Sequence, residues 1–69
     1  MTEPWVVTYR IEHAQGFILF EAYRGEEGEC RRIADQSASP SWHEGRKVTG
    51  FKVIIGTAKS WDNFLSENE

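Results

Sequence analysis

Two histidines, one cysteine and a scatter of carboxylates are the residues of this chain that could do chemistry, and their spacing argues against most of it. His13, Cys30 and His43 stand far apart, with none of the CxxC or HxxxH spacings that bring two ligands onto one metal ion. A core thiol and two solvent-facing imidazoles are the expectation, with no metal site. Trp42-His43-Glu44 holds a His–Glu pair but lacks the second histidine one helical turn later, so it reads as loop surface. Acid–base catalysis needs paired carboxylates in a cleft. Glu21 is the one carboxylate in a strand flanked by apolar residues, and a place opposite Thr8 and near Arg10 accounts for it. No Ser, His and Asp arrangement can be assembled, and a three-strand domain offers little room for a pocket. Gly25-Glu-Glu-Gly28 opens a helix N-terminus, a place that can hold phosphate, but Glu26 and Glu27 would repel it. The expectation is a chain with no catalytic residue, no cofactor and no small-molecule substrate.

The basic residues are the next candidates. Arg31 and Arg32 fall on the outer surface of a helix, Arg46 and Lys47 enter a strand, and Lys52 points to that strand's outer face. With Trp42 nearby, Arg46, Lys47 and Lys52 compose a small basic patch with an aromatic, the kind used on single-stranded nucleic acid. The net charge of −3 spreads both signs along the chain, so binding driven by phosphate neutralisation is not favoured.

A length of 69 residues sets one domain, 1–69, in which only about 60% of the unfolded surface can be buried. Nine aromatics compensate, each burying on the order of 150–250 Å². Trp5, Trp42 and Trp61 are more indole than so small a core easily encloses, which points one of them at a contact surface. A single cysteine allows no internal disulfide and fits a reducing compartment. The start MTEPW has no apolar h-region and no run nears 18 apolar residues, so the chain is expected to be soluble, cytoplasmic and not membrane-spanning.

The elements that must position these residues can be read in order. Trp5 to Glu12 alternates, with Trp5, Val7, Tyr9 and Ile11 on one face and Val6, Thr8, Arg10 and Glu12 on the other, a half-buried strand. A turn centred on Ala14 and Gln15, with Gly16 supplying positive φ, leads into Phe17 to Tyr23, FILFEAY, the densest apolar run. Register then sets Ile11 against Ile18, Tyr9 against Phe20 and Val7 against Ala22. The other face pairs Glu12 with Phe17, Arg10 with Leu19, Thr8 with Glu21 and Val6 with Tyr23. A slip of one residue would press Glu21 onto Tyr9 on the buried side.

A helix follows from Glu26 to about Gln36 or Ser37, with acidic residues in its first turn and a small stripe of Cys30, Ile33, Ala34 and Ser37 toward the sheet. Ser37 to Gly45 reads as the longest loop. Arg46 to Ile55 is a third strand in which Gly50 marks a bulge. Ser60 caps a short helix carrying Trp61, Phe64 and Leu65, and Ser66 to Glu69 should fray. The fold expected is α+β: a three-stranded, largely antiparallel ββαβ sheet with one helix packed on one face and a short C-terminal helix. A right-handed crossover favours strand order 2-1-3. The two-faced apolarity of FILFEAY favours 1-2-3, which would make that strand central.

With a helix on one face, Phe17, Leu19 and Tyr23, with Val6, remain on the other, and such a patch marks contact with another chain unless Trp61, Phe64 and Leu65 fold back over it. The order hairpin, helix with Arg31-Arg-Ile-Ala34, then strand resembles the small phage-encoded inhibitors of bacterial defence, in particular some type I anti-CRISPR proteins. The resemblance covers the element order across residues 5–55 and that one helix segment. It implies a non-catalytic protein that blocks a large bacterial complex by occupying a surface, and it transfers no individual residue. The sequence therefore reads as a cytoplasmic binding module acting on a protein partner, in a hetero-complex or a homodimer. The residues expected to carry contact are Trp42, Arg46, Lys47 and Lys52, and Phe17, Leu19 and Tyr23. The alternative is a small accessory protein that binds single-stranded nucleic acid.

Overall fold

The first strand, Trp5–His13 (β1), is paired along both edges and contacted by both helices, and the computed structural model, which describes residues 3–67, shows why. Val6, Val7 and Thr8 are consecutive, uncharged and all buried, so this stretch must be covered on both faces and flanked on both edges. Gly16–Gly25 (β2) pairs with it on one side and Gly50–Thr57 (β5) on the other, both antiparallel, in the order β2-β1-β5. Of the two strand orders open to the sequence, the structure adopts 2-1-3. FILFEAY lies on an edge, and none of its residues is fully buried. The fold is α+β, a three-stranded antiparallel sheet with two helices, Glu27–Gln36 (α1) and Ala58–Glu67 (α2).

The β1–β2 turn lies at Ala14 and Gln15, and Gly16 takes the positive φ of 143° that a side chain would resist. From there the register runs as the alternation requires, Glu12 with Phe17, Ile11 with Ile18, Arg10 with Leu19, Tyr9 with Phe20 and Thr8 with Glu21. Then it shifts. Val7 stands opposite Tyr23 and Val6 opposite Arg24, so Ala22 is the extra residue of a β-bulge. The expected pairs Val7–Ala22 and Val6–Tyr23 are therefore corrected. The bulge turns Ala22 out to solvent and carries Tyr23 to the face of Val7, Tyr9 and Ile11. Gly50, by contrast, pairs regularly with Glu12 and marks no bulge.

That face, with Trp5, Val7, Tyr9, Ile11, Ile18, Phe20, Phe51, Val53 and Ile55, receives α1. Cys30 at the helix's inner side is fully buried. The Ser37 hydroxyl donates to the Ile33 carbonyl at 2.7 Å, and so the Tyr9 hydroxyl donates to Ser37, also at 2.7 Å, tying the helix end to the sheet centre. The outer surface of α1 is laced by Arg31–Glu27 and Arg32–Glu29 pairs.

Two parts of the chain depart from the expected plan. The stretch expected as loop closes into a minimal hairpin, Trp42–His43 (β3) with Arg46–Lys47 (β4), so that Arg46 and Lys47 are separated from the third sheet strand. Glu44 and Gly45 between them both take positive φ, 50° and 79°, as a two-residue type I′ turn requires. The second helix begins earlier than Ser60. Thr57 is its cap, its Oγ1 accepting the Ser60 backbone N–H at 3.2 Å, and the Ala58 N–H donates to the Pro4 carbonyl at 2.9 Å. Asn68 and Glu69, within the segment expected to fray, lie outside the described residues.

Candidate functional site

The second face of the sheet is built in rows across β2, β1 and β5. Phe17, Glu12 and Gly50 form one, Leu19, Arg10 and Lys52 the next, Glu21, Thr8 and Ile54 the third, and Arg24, Val6 and Gly56 the last. The gradient along the face is chemical. Its turn end is polar, with Arg10 held 3.0 Å from Glu12 while its guanidinium lies 3.9 Å over the Phe17 ring. Its other end is apolar apart from Glu21, Arg24 and the Thr8 hydroxyl, which is satisfied by the Ile54 carbonyl at 3.2 Å.

Over this apolar end lies α2. One polar tie fastens it: Arg24 of β2 bridges Asp62 of the helix at 3.0 Å and Glu21 of its own strand at 2.7 Å. Glu21, expected near Arg10, thus serves the helix tie instead. Hydrogen bonds from Arg24 hold the Asp62 carboxyl below its ordinary value, and Asp62 and Glu21 in turn raise the guanidinium. Trp61 and Phe64 stack with ring centroids 5.8 Å apart and form a wall.

Between that wall and the sheet runs an apolar groove of about 310 Å³, its floor made of Val6, Leu19 and Ile54. The helix covers the face only in part: Ile54 is 42% exposed, Leu65 43%, Phe64 44% and Phe17 53%. The fold-back of the C-terminal segment and an open apolar surface therefore coexist. Leu19 and Phe17 lie on this face as expected, and Leu19 lines the groove. Tyr23 does not, because the bulge places it on the α1 side.

The basic patch divides likewise. Trp42 stands opposite Lys47 and beside Arg46 on the hairpin, 64% exposed, while His43 turns inward and stacks on Phe20 at 5.9 Å. Lys52 lies on the opposite face of the sheet from Phe20, in the row with Arg10 and Leu19, so it is not part of that cluster. Arg46, Lys47 and Lys52 form no ion pair among the described residues.

Cys30 is shielded completely, and burial pushes its thiol up from the ordinary value against a backbone hydrogen bond at Gly25 that lowers it. Such a thiol is a poor nucleophile. His13 sits in the exposed hairpin turn, where its Nδ1 accepts the Gln15 N–H at 3.2 Å. Among the described residues no group of three or more His, Cys, Asp or Glu is placed to hold a metal ion, and no helix is long and apolar enough to cross a membrane. The start of α1 borders a hollow of about 460 Å³ rimmed by Glu3, Glu26 and Glu27, whose charges disfavour an anion.

Val6 lines the groove, as its place on the open face implied, whereas the sequence reading missed Ile54 as a groove residue. Ile54 could have been found: it alternates with Lys52 on the outer face of its strand and has no apolar lid in sequence other than the helix that follows. No family model, curated protein or solved structure matches this chain.

Proposed function

We propose that this chain is a non-catalytic protein-binding module that acts by stoichiometric contact. The observation that carries the reading is the groove floored by Val6, Leu19 and Ile54, walled by Trp61 and Phe64, and open to solvent. Apolar surface rimmed by charge is what a protein partner removes from water, at about 25 cal/mol per Å². The plan we assign to the chain is ββαβ, and its resemblance to type I anti-CRISPR inhibitors rests on that element order across residues 5–55 and on the helix segment Arg31-Arg-Ile-Ala34. In that reading the partner is a subunit of a large bacterial defence complex in the cytoplasm, and the chain inhibits by occlusion. The test is titration of the purified chain into type I interference complexes while target-DNA binding is followed. One-to-one loss of target binding, abolished by Leu19→Glu, supports the proposal. Complexes that keep full target binding at saturating chain overturn the inhibitor reading, and a Leu19→Glu variant as active as the parent removes the groove from it.

A second reading has its own observation: Trp42, exposed and fixed by a two-residue turn, beside Arg46 and Lys47 with no ion pair among the described residues. An indole with two free cations suits single-stranded nucleic acid. Binding that weakens steeply with salt and is lost in Trp42→Ala favours it, whereas no binding at low salt ends it.

A further inference from the structure

The sheet has two outer edges, and they differ. β2 is interrupted by the bulge at Ala22 and carries Glu21 and Arg24, features that blunt an edge against pairing. β5 runs without a bulge or proline from Gly50 to Thr57, and its centre, Phe51-Lys-Val-Ile-Ile55, has four β-branched or aromatic residues and one charge. Among the described residues no strand borders its outer side. Such an edge presents backbone N–H and C=O groups that only another extended chain satisfies in a ladder.

We propose that β5 pairs antiparallel with β5 of a second copy of this chain, about a two-fold axis at Val53, joining two three-stranded sheets into one of six. This deepens the protein-binding reading, because Ile54 belongs to both the groove and this edge. The register supports a second copy as the occupant. An axis at Val53 sets Val53 against Val53 and Phe51 against Ile55 on the α1 side, an all-apolar set of β-branched and aromatic pairs. On the open side each Lys52 stands opposite Ile54 of the partner copy, so the ammonium groups do not oppose one another and each lysine stem covers an exposed isoleucine. An axis at Lys52 would oppose the two lysines directly.

The surface of the chain agrees. It exposes 5023 Å² at 8.0 kDa, whereas a compact monomer of that mass exposes about 4,450 Å². An edge-to-edge strand pairing buries less than a standard specific interface, and so the dimer is a weak one.

Sedimentation equilibrium from low micromolar to millimolar protein tests the proposal. The mass should rise from 8.0 kDa toward twice that value. Ile54→Lys places two new lysines against Lys52 of the partner copy and should hold the chain at monomer mass. Ile54→Glu, equally polar, places carboxylates there and should associate about tenfold more tightly than the lysine variant. Leu19→Glu, on the far strand, should leave association unchanged. A parent chain that remains monomeric at millimolar concentration overturns the proposal, as do Lys and Glu variants that associate alike. Dissociation by Leu19→Glu would move the contact to the groove and equally sink the edge pairing. A monomeric parent that still binds a foreign partner through Leu19 would leave the groove reading standing.

Discussion

The functional reading requires that the apolar residues of the open face contribute little to folding, and a matched pair of substitutions measures this. Ile11 is 2% exposed on the α1 side, facing Ile18 on one neighbour and Phe51 on the other. Ile54 is 42% exposed on the open side. Ile→Ala removes the same atoms from each. At Ile11 the loss is transfer free energy plus a cavity closed on all sides, about 3 kcal/mol within the usual range of about 2–5. At Ile54 the vacated volume merges with the groove and no cavity forms, leaving about 1 kcal/mol from the part of the side chain that is covered. A chain of this length has about 3–10 kcal/mol of stability in all, so Ile11→Ala takes a large share and Ile54→Ala a small one. Urea titration followed by tryptophan fluorescence, at concentrations too low for self-association, reads both from the midpoint and slope. Should Ile11→Ala fail to fold, Ile11→Val supplies the measurement at about 1 kcal/mol. Equal losses at the two sites would refute the reasoning, because Ile54 would then belong to the folding core.

Thr57→Ala removes the cap of α2 and should cost about 1 kcal/mol, a fall in Tm of roughly 4–8 °C in a domain this small; an unchanged Tm would show that the helix start is held by other contacts. Asp62 and Glu29 have folded values held below their ordinary 3.8 and 4.5, chiefly by hydrogen bonds from Arg24 and Arg32. Their stabilisation is present above those ordinary values and is lost as pH falls through the depressed ones, so Asp62→Asn should flatten the acid limb of a pH–Tm profile and added salt should shrink it. An acid limb identical in the variant would remove the Arg24 tie from the account. The Cys30 thiol should react with a disulfide reagent only at the rate of unfolding, and denaturant should abolish the delay; fast labelling of the native chain would contradict its burial.

The parts of the fold legible in sequence are those in which one signal acts alone. Alternation from Val6 to Glu12 and a Gly16 turn dictated the register at Ile11, Tyr9 and Thr8, because no competing pairing kept Glu21 off the buried face. The bulge at Ala22 was not legible: alanine fits either face, and only the tertiary gain from placing Tyr23 over Val7 selects the break. The Glu44-Gly45 turn lacked the Asn-Gly or Asp-Gly pair that marks such hairpins, and β3 and β4 are two residues each, too short for any period to register. Ser60 looked like a cap because it precedes Trp61, yet Thr57 offers the same oxygen three residues earlier, where the strand ends. At the site, Leu19 and Phe17 followed from alternation, whereas the separation of Lys52 from Trp42 depended on how the hairpin turns back over Phe20, a long-range packing choice with no local signature.

The choice of central strand was the most consequential ambiguity, and its resolution explains where the open face comes from. FILFEAY has more apolar area than Trp5 to Ile11, so a count of buried methylenes would centre it. A central strand is covered on both faces, however, and a charge there costs several times what a methylene returns, about 0.8 kcal/mol. Glu21 sits in the middle of FILFEAY and Arg24 directly after it, while the charges of β1, Arg10 and Glu12, fall at its turn end. Val6-Val7-Thr8 is thus free of charge where α1 and α2 cover it, and it takes the centre. β2 is left on the edge with Glu21 and Arg24 in solvent, where Arg24, paired with Glu21, holds Asp62 and with it α2. The same charges that keep the apolar run out of the core fasten the helix that makes one wall of the groove that Leu19 lines.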